Sequence, residues 1–259
     1  MDSPLSLASS RTSLLKVKAL CKNFGAFEAI KNVSFSLFEG EKLAVIGPNG
    51  AGKSTCFNLI GGQLSPDQGH IHLGDMDLTG KPPPFIAKAG IGRSFQIAAA
   101  YASLTVEMAV QAAFLAIKGQ AYHFIKPSHH YYREDTAALI EQVGLGALSQ
   151  RLCAELAYGD VKRVELAMAL AGNPRILLMD EPTAGMAVAE RQSLMEHVVR
   201  LSQDRNIALL FTEHDMDVVF RHADRIIVLV RGQILVEGPP DRIAQDPEVR
   251  AVYLGEDPL

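Results

Sequence analysis

Gly47-Pro48-Asn49-Gly50-Ala51-Gly52-Lys53-Ser54, with Thr55 next, spells G-x-x-x-x-G-K-[ST] in full. The apolar run Leu43-Ala44-Val45-Ile46 precedes it, and a helix-permissive stretch from Lys53 to Ile60 follows. Strand, glycine loop and helix in that order separate a working phosphate-binding loop from a chance match. Glycines let the backbone curl so that several N–H groups point inward at the β- and γ-phosphates of a nucleotide. The helix start adds unpaired N–H groups and a partial positive charge. Lys53 brings a point charge to the phosphates, and the Ser54 hydroxyl a ligand for Mg²⁺. A plain glycine-rich turn would leave the complete spacing unexplained. The stretch predicts binding of a nucleoside triphosphate.

Around this loop the apolar patterning reads as an α/β sheet. Leu15 to Leu20 and Val33 to Leu37 are early strands; in the second, Val33, Phe35 and Leu37 alternate with Ser34 and Ser36, which marks a half-buried antiparallel strand. Lys42 to Ile46 leads into the loop. Ile176 to Met179 and Ala208 to Phe211 are apolar without alternation, as central strands of a parallel sheet are. Such strands need crossovers, and Glu190 to Ser202, with Leu194, Val198 and Leu201 on one side, supplies a helical one. Ile226 to Val230 and Gln233 to Val236 flank Arg231-Gly232 as a hairpin. Between Leu104 and Leu156 the chain turns Ala-rich and helical. The tail, Pro240 to Leu254, holds two short helical pieces broken at Asp246-Pro247.

The expected fold is therefore α/β: a P-loop NTPase core with a mostly parallel sheet, an N-terminal antiparallel β sub-domain and an inserted helical sub-domain. Residues 1–13 are expected as a disordered lead-in, 14–103 and 157–238 as the core. Residues 104–156 form the helical sub-domain and 239–259 a helical tail.

A chain of 259 residues can bury a large core. Its net charge of −4 argues against general nucleic-acid binding, which needs a basic surface. Cys21, Cys56 and Cys153 lie far apart without metal-ligand spacing and read as reduced thiols of an intracellular protein. No apolar run reaches the length of a membrane span, so the chain is not expected to cross a bilayer. The Ser-rich opening lacks the pattern of a signal peptide.

Asp180 and Glu181 end the apolar strand Ile176 to Met179. Ligands of open α/β sheets bind outside the carboxyl ends of the strands, which puts both acids beside the phosphates. Asp180 is expected to orient a hydrated Mg²⁺, and Glu181 to polarise a water for in-line attack on the γ-phosphate. Without the phosphate-binding loop the pair would read as the solvated start of a turn at Pro182. His214 follows the next apolar strand and is expected on the same edge of the sheet. Gln96, after Gly92-Arg93-Ser94-Phe95, carries little signal alone.

These residues together resemble an ATP-binding cassette (ABC) subunit across roughly Leu15 to Glu256. GPNGAGKS is similar to the family's Walker A loop, and Ile176 to Pro182 to its Walker B strand. The resemblance implies that Gln96 is the Q-loop residue, ligating Mg²⁺ and touching the membrane subunit, and that His214 is the switch histidine. It also implies that Phe24, in Asn23-Phe24-Gly25, stacks on adenine; otherwise Phe24 is a core residue. ATP and Mg²⁺ are the implied cofactors.

Leu156-Ala157-Tyr158-Gly159-Asp160 corresponds to the family's signature, usually LSGGQ, which acts on the ATP of the opposing subunit. The family's serine caps a helix and reaches the γ-phosphate; Ala157 does neither. Asp160 favours the helix N-terminus but brings negative charge near the partner's nucleotide unless Lys162 or Arg163 screens it. Weaker cross-subunit engagement is expected. Ala187 is a second departure, in the loop coupling the two ATP sites, where the family has an acidic or amide residue.

The resemblance implies a pair of cassettes, integral membrane permease subunits and, indirectly, a periplasmic solute-binding protein. The chain is then peripheral, at the cytoplasmic face of the inner membrane. Gly238-Pro239-Pro240-Asp241-Arg242-Ile243 and Val252-Tyr253-Leu254-Gly255-Glu256 resemble the ATPase subunits of branched-chain amino-acid importers, and Tyr158 and the Glu213 to Asp217 block agree. A lipopolysaccharide-export ATPase has a similar ending, and a nucleotide-binding regulatory module with weak turnover is a further alternative. The aromatic segment from Ala121 to Glu134 is either a surface loop or a permease contact. His129-His130 lacks the companions of a metal site.

Overall fold

The computed structural model describes residues 12–94, 101–119 and 132–254. Two sheets carry the chain. The first is antiparallel and holds β1 (Ser13–Phe24), β2 (Phe27–Phe38), β4 (Gln68–Leu73) and β5 (Met76–Asp77), in the order β2-β1-β4-β5. The second has six strands in the order β10-β9-β3-β8-β7-β6. They are β3 (Lys42–Ile46), β6 (Ile91–Arg93), β7 (Ile176–Asp180), β8 (Ala208–Thr212), β9 (Arg225–Val230) and β10 (Gln233–Gly238). All run parallel except β10, which turns back on β9 at Arg231-Gly232, where both residues adopt positive φ as a two-residue hairpin turn requires.

The six-stranded sheet is the middle layer, and its strands bury both faces. Leu43 and Val45 of β3 join the antiparallel sheet and α1 (Lys53–Ile60) in one core. Ala44 and Ile46 face the opposite core, built with α3 (Val106–Ile117), α4 (Arg133–Gln142), α5 (Tyr158–Leu170) and α6 (Val188–Asp204). Alternate side chains of a strand point to opposite faces, so continuous apolar runs are what a doubly covered sheet needs. Leu194, Val198 and Leu201 of α6 are all buried there.

Three strands escape the sequence patterning. In β4 only Ile71 and Leu73 are buried, β5 has two exposed residues, and β6 is three residues long. Strand β1 begins at Ser13, which pairs with Phe38, so the expected lead-in of 1–13 overruns the sheet at its end. Residues 1–11 lie outside the described residues. Helices α2 (Pro83–Ala89) and α7 (Met216–His222) join the expected ones, and the tail folds as α8 (Pro240–Gln245) and α9 (Pro247–Leu254), broken at Asp246. Of the aromatic segment, Tyr132 and Arg133 are described: the Tyr132 ring stacks on Phe114 at 5.7 Å, and Arg133 opens α4. Tyr122, His123, Phe124, His129, His130 and Tyr131 lie outside the described residues, as does Gln96.

One ionic cluster ties the two sheets together. Arg225 of β9 meets buried Glu41 through Nε at 2.8 Å and Nη2 at 2.9 Å, donates to the Ser36 carbonyl, and contacts Glu237 of β10. Paired guanidinium and carboxylate groups hold such a fork in one geometry.

Candidate nucleotide site

Parallel strands deliver their carboxyl ends to one rim. Asp180 closes β7 opposite Thr212 of β8, and Thr212 is also the partner of Val45, two residues before Gly47. The glycine loop, the two acids and the segment Thr212-Glu213-His214 therefore meet.

The loop is shaped by close approach. A Cβ on Gly47 would lie 2.0 Å from the Leu229 carbonyl oxygen of β9, so no larger residue fits. Gly52 has φ 106°, and a Cβ there would reach the Ala29 carbonyl at 2.6 Å. Ala51 is buried, whereas Asn49, Gly50 and Ser54 are exposed. Helix α1 starts at Lys53 with no side-chain cap, which leaves its first N–H groups for a ligand. Lys53 is buried, and its ammonium donates to the carbonyls of Gly47 at 2.7 Å and Pro48 at 3.2 Å. Burial pushes its pKa below the ordinary lysine value, while Glu181 and Asp180 pull it back up.

The acids are held from behind. Asp180 Oδ1 accepts from the Thr212 hydroxyl at 2.7 Å, and Asp180 Oδ2 lies 3.9 Å from Arg93. Glu181 has φ 50°, a left-handed backbone that costs a non-glycine residue on the order of 1–3 kcal/mol. Its side chain meets His214, with Oε1 2.7 Å from Nε2. Glu213 is buried and accepts from both the backbone N–H and the hydroxyl of Thr183, at 2.9 and 2.7 Å. The turn after Glu181 is thereby fastened to the residue before His214.

Ser54 and Asp180 fit a Mg²⁺ ion as partial donors. No cluster of three or more His, Cys, Asp or Glu that could hold a metal occurs among the described residues. One carboxylate and one exposed hydroxyl beside a phosphate cradle suit an ion that takes most ligands from phosphate and water.

Phe24 ends β1 and is 49% exposed, which leaves its ring free to stack; Lys22 Nζ sits 5.9 Å from the ring centroid. Leu156 and Ala157 precede α5, and Ala157 is its N-cap without a side-chain bond. Tyr158, Gly159 and Asp160 form the first turn, and Tyr158 is half exposed. Arg163 lies 3.7 Å from the Asp160 carboxylate. Lys162 does not screen Asp160: it is buried, bonded to Glu165 at 3.0 Å and set under the Tyr158 ring at 5.4 Å. A single residue step, about 100° around the helix, separates the two roles, and the inward position goes to Lys162. Ala187 caps α6 without a side-chain bond, and Arg191 anchors that loop instead, through the Met186 carbonyl at 2.7 Å and Asp215 at 3.0 Å.

Sequence reasoning missed Thr212, Arg93, Glu213 and Arg191. Arg93 binds the Phe57 carbonyl, Gln63 and Asn58, and so pins α1 to the end of β6. A charged residue at the end of a short apolar run was the available signal.

Residues 30–184 match the family model described as ABC transporter, and residues 233–258 the one described as branched-chain amino acid ATP-binding cassette transporter. The high-affinity branched-chain amino acid transport ATP-binding protein LivG of Escherichia coli K12 is 36% identical over 94% of this chain and 98% of its own. A crystal structure of the ADP conformation of an ATP-binding cassette of an ABC transporter superposes with TM-score 0.84 and 32% identity, covering 95% of this chain and all of that one. A dimeric post-hydrolysis cassette bound to ADP and Pi gives TM-score 0.73 and 26% identity over 87% of this chain and 98% of its own. The family model covers more than half of the chain and the relatives match nearly its whole length, so the chain belongs to the ABC transporter family as one of its ATP-binding cassettes.

Proposed function

We propose that this cassette hydrolyses ATP to power import of branched-chain amino acids, or related small solutes, through a membrane transporter. A second ABC ATPase subunit docks against it, and the signature turn of each completes the ATP site of the other. Integral permease subunits form the route, and a periplasmic binding protein delivers the solute. Among the described residues no helix is long and apolar enough to cross a membrane, so attachment to the cytoplasmic face of the inner membrane runs through the permease. The solute class is supported by the match of residues 233–258 and by what the E. coli relative carries. That match favours import over lipopolysaccharide export. Pairing is supported by the dimeric relative.

The observation that carries hydrolysis is the 2.7 Å contact of His214 with Glu181, on a rim where both acids bear on Lys53. Phe24 stacks on adenine, and Gly47 to Thr55 wraps the phosphates. Lys53 exchanges the two loop carbonyls for phosphate oxygens. Glu181, aimed by His214, takes a proton from water as the water oxygen attacks the γ-phosphorus. The bond to the bridging oxygen breaks, and ADP leaves with the electron pair. Ser54 and Asp180, with Gln96 by the resemblance, would hold Mg²⁺, which would supply charge neutralisation at the phosphates. Glu181→Gln is expected to cut ATPase turnover roughly 10²–10⁴-fold while ATP binding persists. Wild-type and variant equally inert in the presence of permease would instead indicate a nucleotide-binding regulatory module.

A further inference from the structure

We propose that Thr212 is a positioning residue for both acids, one buried hydroxyl setting the aim of Asp180 and of Glu181 at once. The inference rests on the roles given above to those two residues.

Thr212 is fully buried at the carboxyl end of β8. Its hydroxyl lies 2.7 Å from Asp180 Oδ1 and 3.0 Å from the Glu181 backbone nitrogen. A hydroxyl has one proton to give and lone pairs to accept with. The amide can only donate, so the hydroxyl accepts from Glu181 N–H and turns its own proton to the Asp180 carboxylate. The direction of the chain is fixed by the chemistry of its ends. The Glu181 N–H also reaches the Thr212 carbonyl at 3.2 Å, so one residue grips that amide twice.

Two consequences follow for the rim. With Oδ1 committed to Thr212, Asp180 presents Oδ2 and the remaining lone pair of Oδ1 to a metal and its waters. Glu181 is held in its left-handed backbone, and that backbone points its carboxylate at His214. The hydroxyl thus serves the metal-holding acid through its proton and the water-polarising acid through its lone pair. Groups bonded to a metal's carboxylate ligand typically change metal affinity or activity about 10–100-fold when removed.

The test is Thr212→Val, which keeps the shape and removes both hydroxyl bonds, with Thr212→Ser as the conservative partner. Mn²⁺ binding to the full-length chain loaded with a non-hydrolysable ATP analogue is measured by electron paramagnetic resonance, and turnover is measured with permease present. The valine variant should bind the analogue without metal as wild type does. It should bind Mn²⁺ about 10-fold more weakly and lose about 10–100-fold in kcat with KM for ATP little changed. Serine should restore both. A folded valine variant with wild-type Mn²⁺ affinity and kcat overturns the proposal, even if its Tm is lower. If the valine variant does not fold, Thr212→Cys takes its place beside serine, and equal Mn²⁺ affinity and kcat in cysteine and wild type overturn the proposal. A wild type without turnover whose Mn²⁺ affinity still depends on the hydroxyl removes the hydrolysis reading and leaves the positioning role standing.

Discussion

Lys53, Asp180, Glu181 and His214 are legible in the sequence because each is announced by its neighbours: a complete glycine motif, or an apolar strand ending in charge. Thr212 is not, since a threonine closing Ala208 to Phe211 reads as one more strand residue. Its role depends on the parallel register that sets it opposite Asp180. The left-handed backbone of Glu181 is likewise invisible, because nothing in Asp-Glu-Pro demands it. Gly47 can be tested at this scale. Its missing side chain is required by the Leu229 carbonyl, which a Cβ would approach to 2.0 Å. Gly47→Ala should lower the urea midpoint by an amount equivalent to about 1–3 kcal/mol and abolish binding of a fluorescent ATP analogue. Retained binding at wild-type affinity would mean that the β3–β9 contact relaxes freely.

At the scale of elements, long runs with a clear period were readable and short ones were not. Helix α1 matches its expected span of Lys53 to Ile60, and α6 extends the expected one by two residues at each end. Strand β6 is too short to show a period, and β4 alternates its apolar residues with exposed or partly exposed polar ones, histidines included. Helix α5 offers a prediction. Its N-cap, Ala157, leaves the first amides without a side-chain acceptor, and Asp160 is engaged with Arg163. Ala157→Ser adds the missing acceptor and should stabilise the helix by about 0.5–2 kcal/mol. The same hydroxyl should tighten ATP-driven dimerisation, read by sedimentation in the Glu181→Gln background. An unchanged dimer affinity would show that Gly159 and its neighbours suffice through their backbones.

For the whole molecule, the layered architecture was legible from apolar runs, but the price of burying polar groups was not. His222 of α7 and His197 of α6 each have a buried Nε2 without a hydrogen-bond partner among the described residues. Burial, above all, pushes both imidazoles below their ordinary value, assisted at His222 by Arg221 and Lys42 and at His197 by Arg163 and Arg200. The unfolded chain therefore binds more protons than the folded one as pH falls through about 6.5. Stability is full above that value and declines below it, down to the depressed folded pKa values. Urea midpoints measured from pH 7.5 to 5 should fall, and His222→Phe should flatten part of the slope. A wild-type midpoint that stays level across this range would place compensating titrations elsewhere. Cys56 belongs to the same buried class: its thiol is pushed up to about 12 by burial alone, so it stays protonated and inert throughout.

The grip of Arg225 on Glu41, the Ser36 carbonyl and Glu237 has a mechanical corollary. Phe24 ends a strand of one sheet and Gly47 follows a strand of the other, so the fork ties together, like the hinge of a caliper, the two layers that carry them. On the proposed reading, a nucleotide reaching from Phe24 to the glycine loop would meet a preset span.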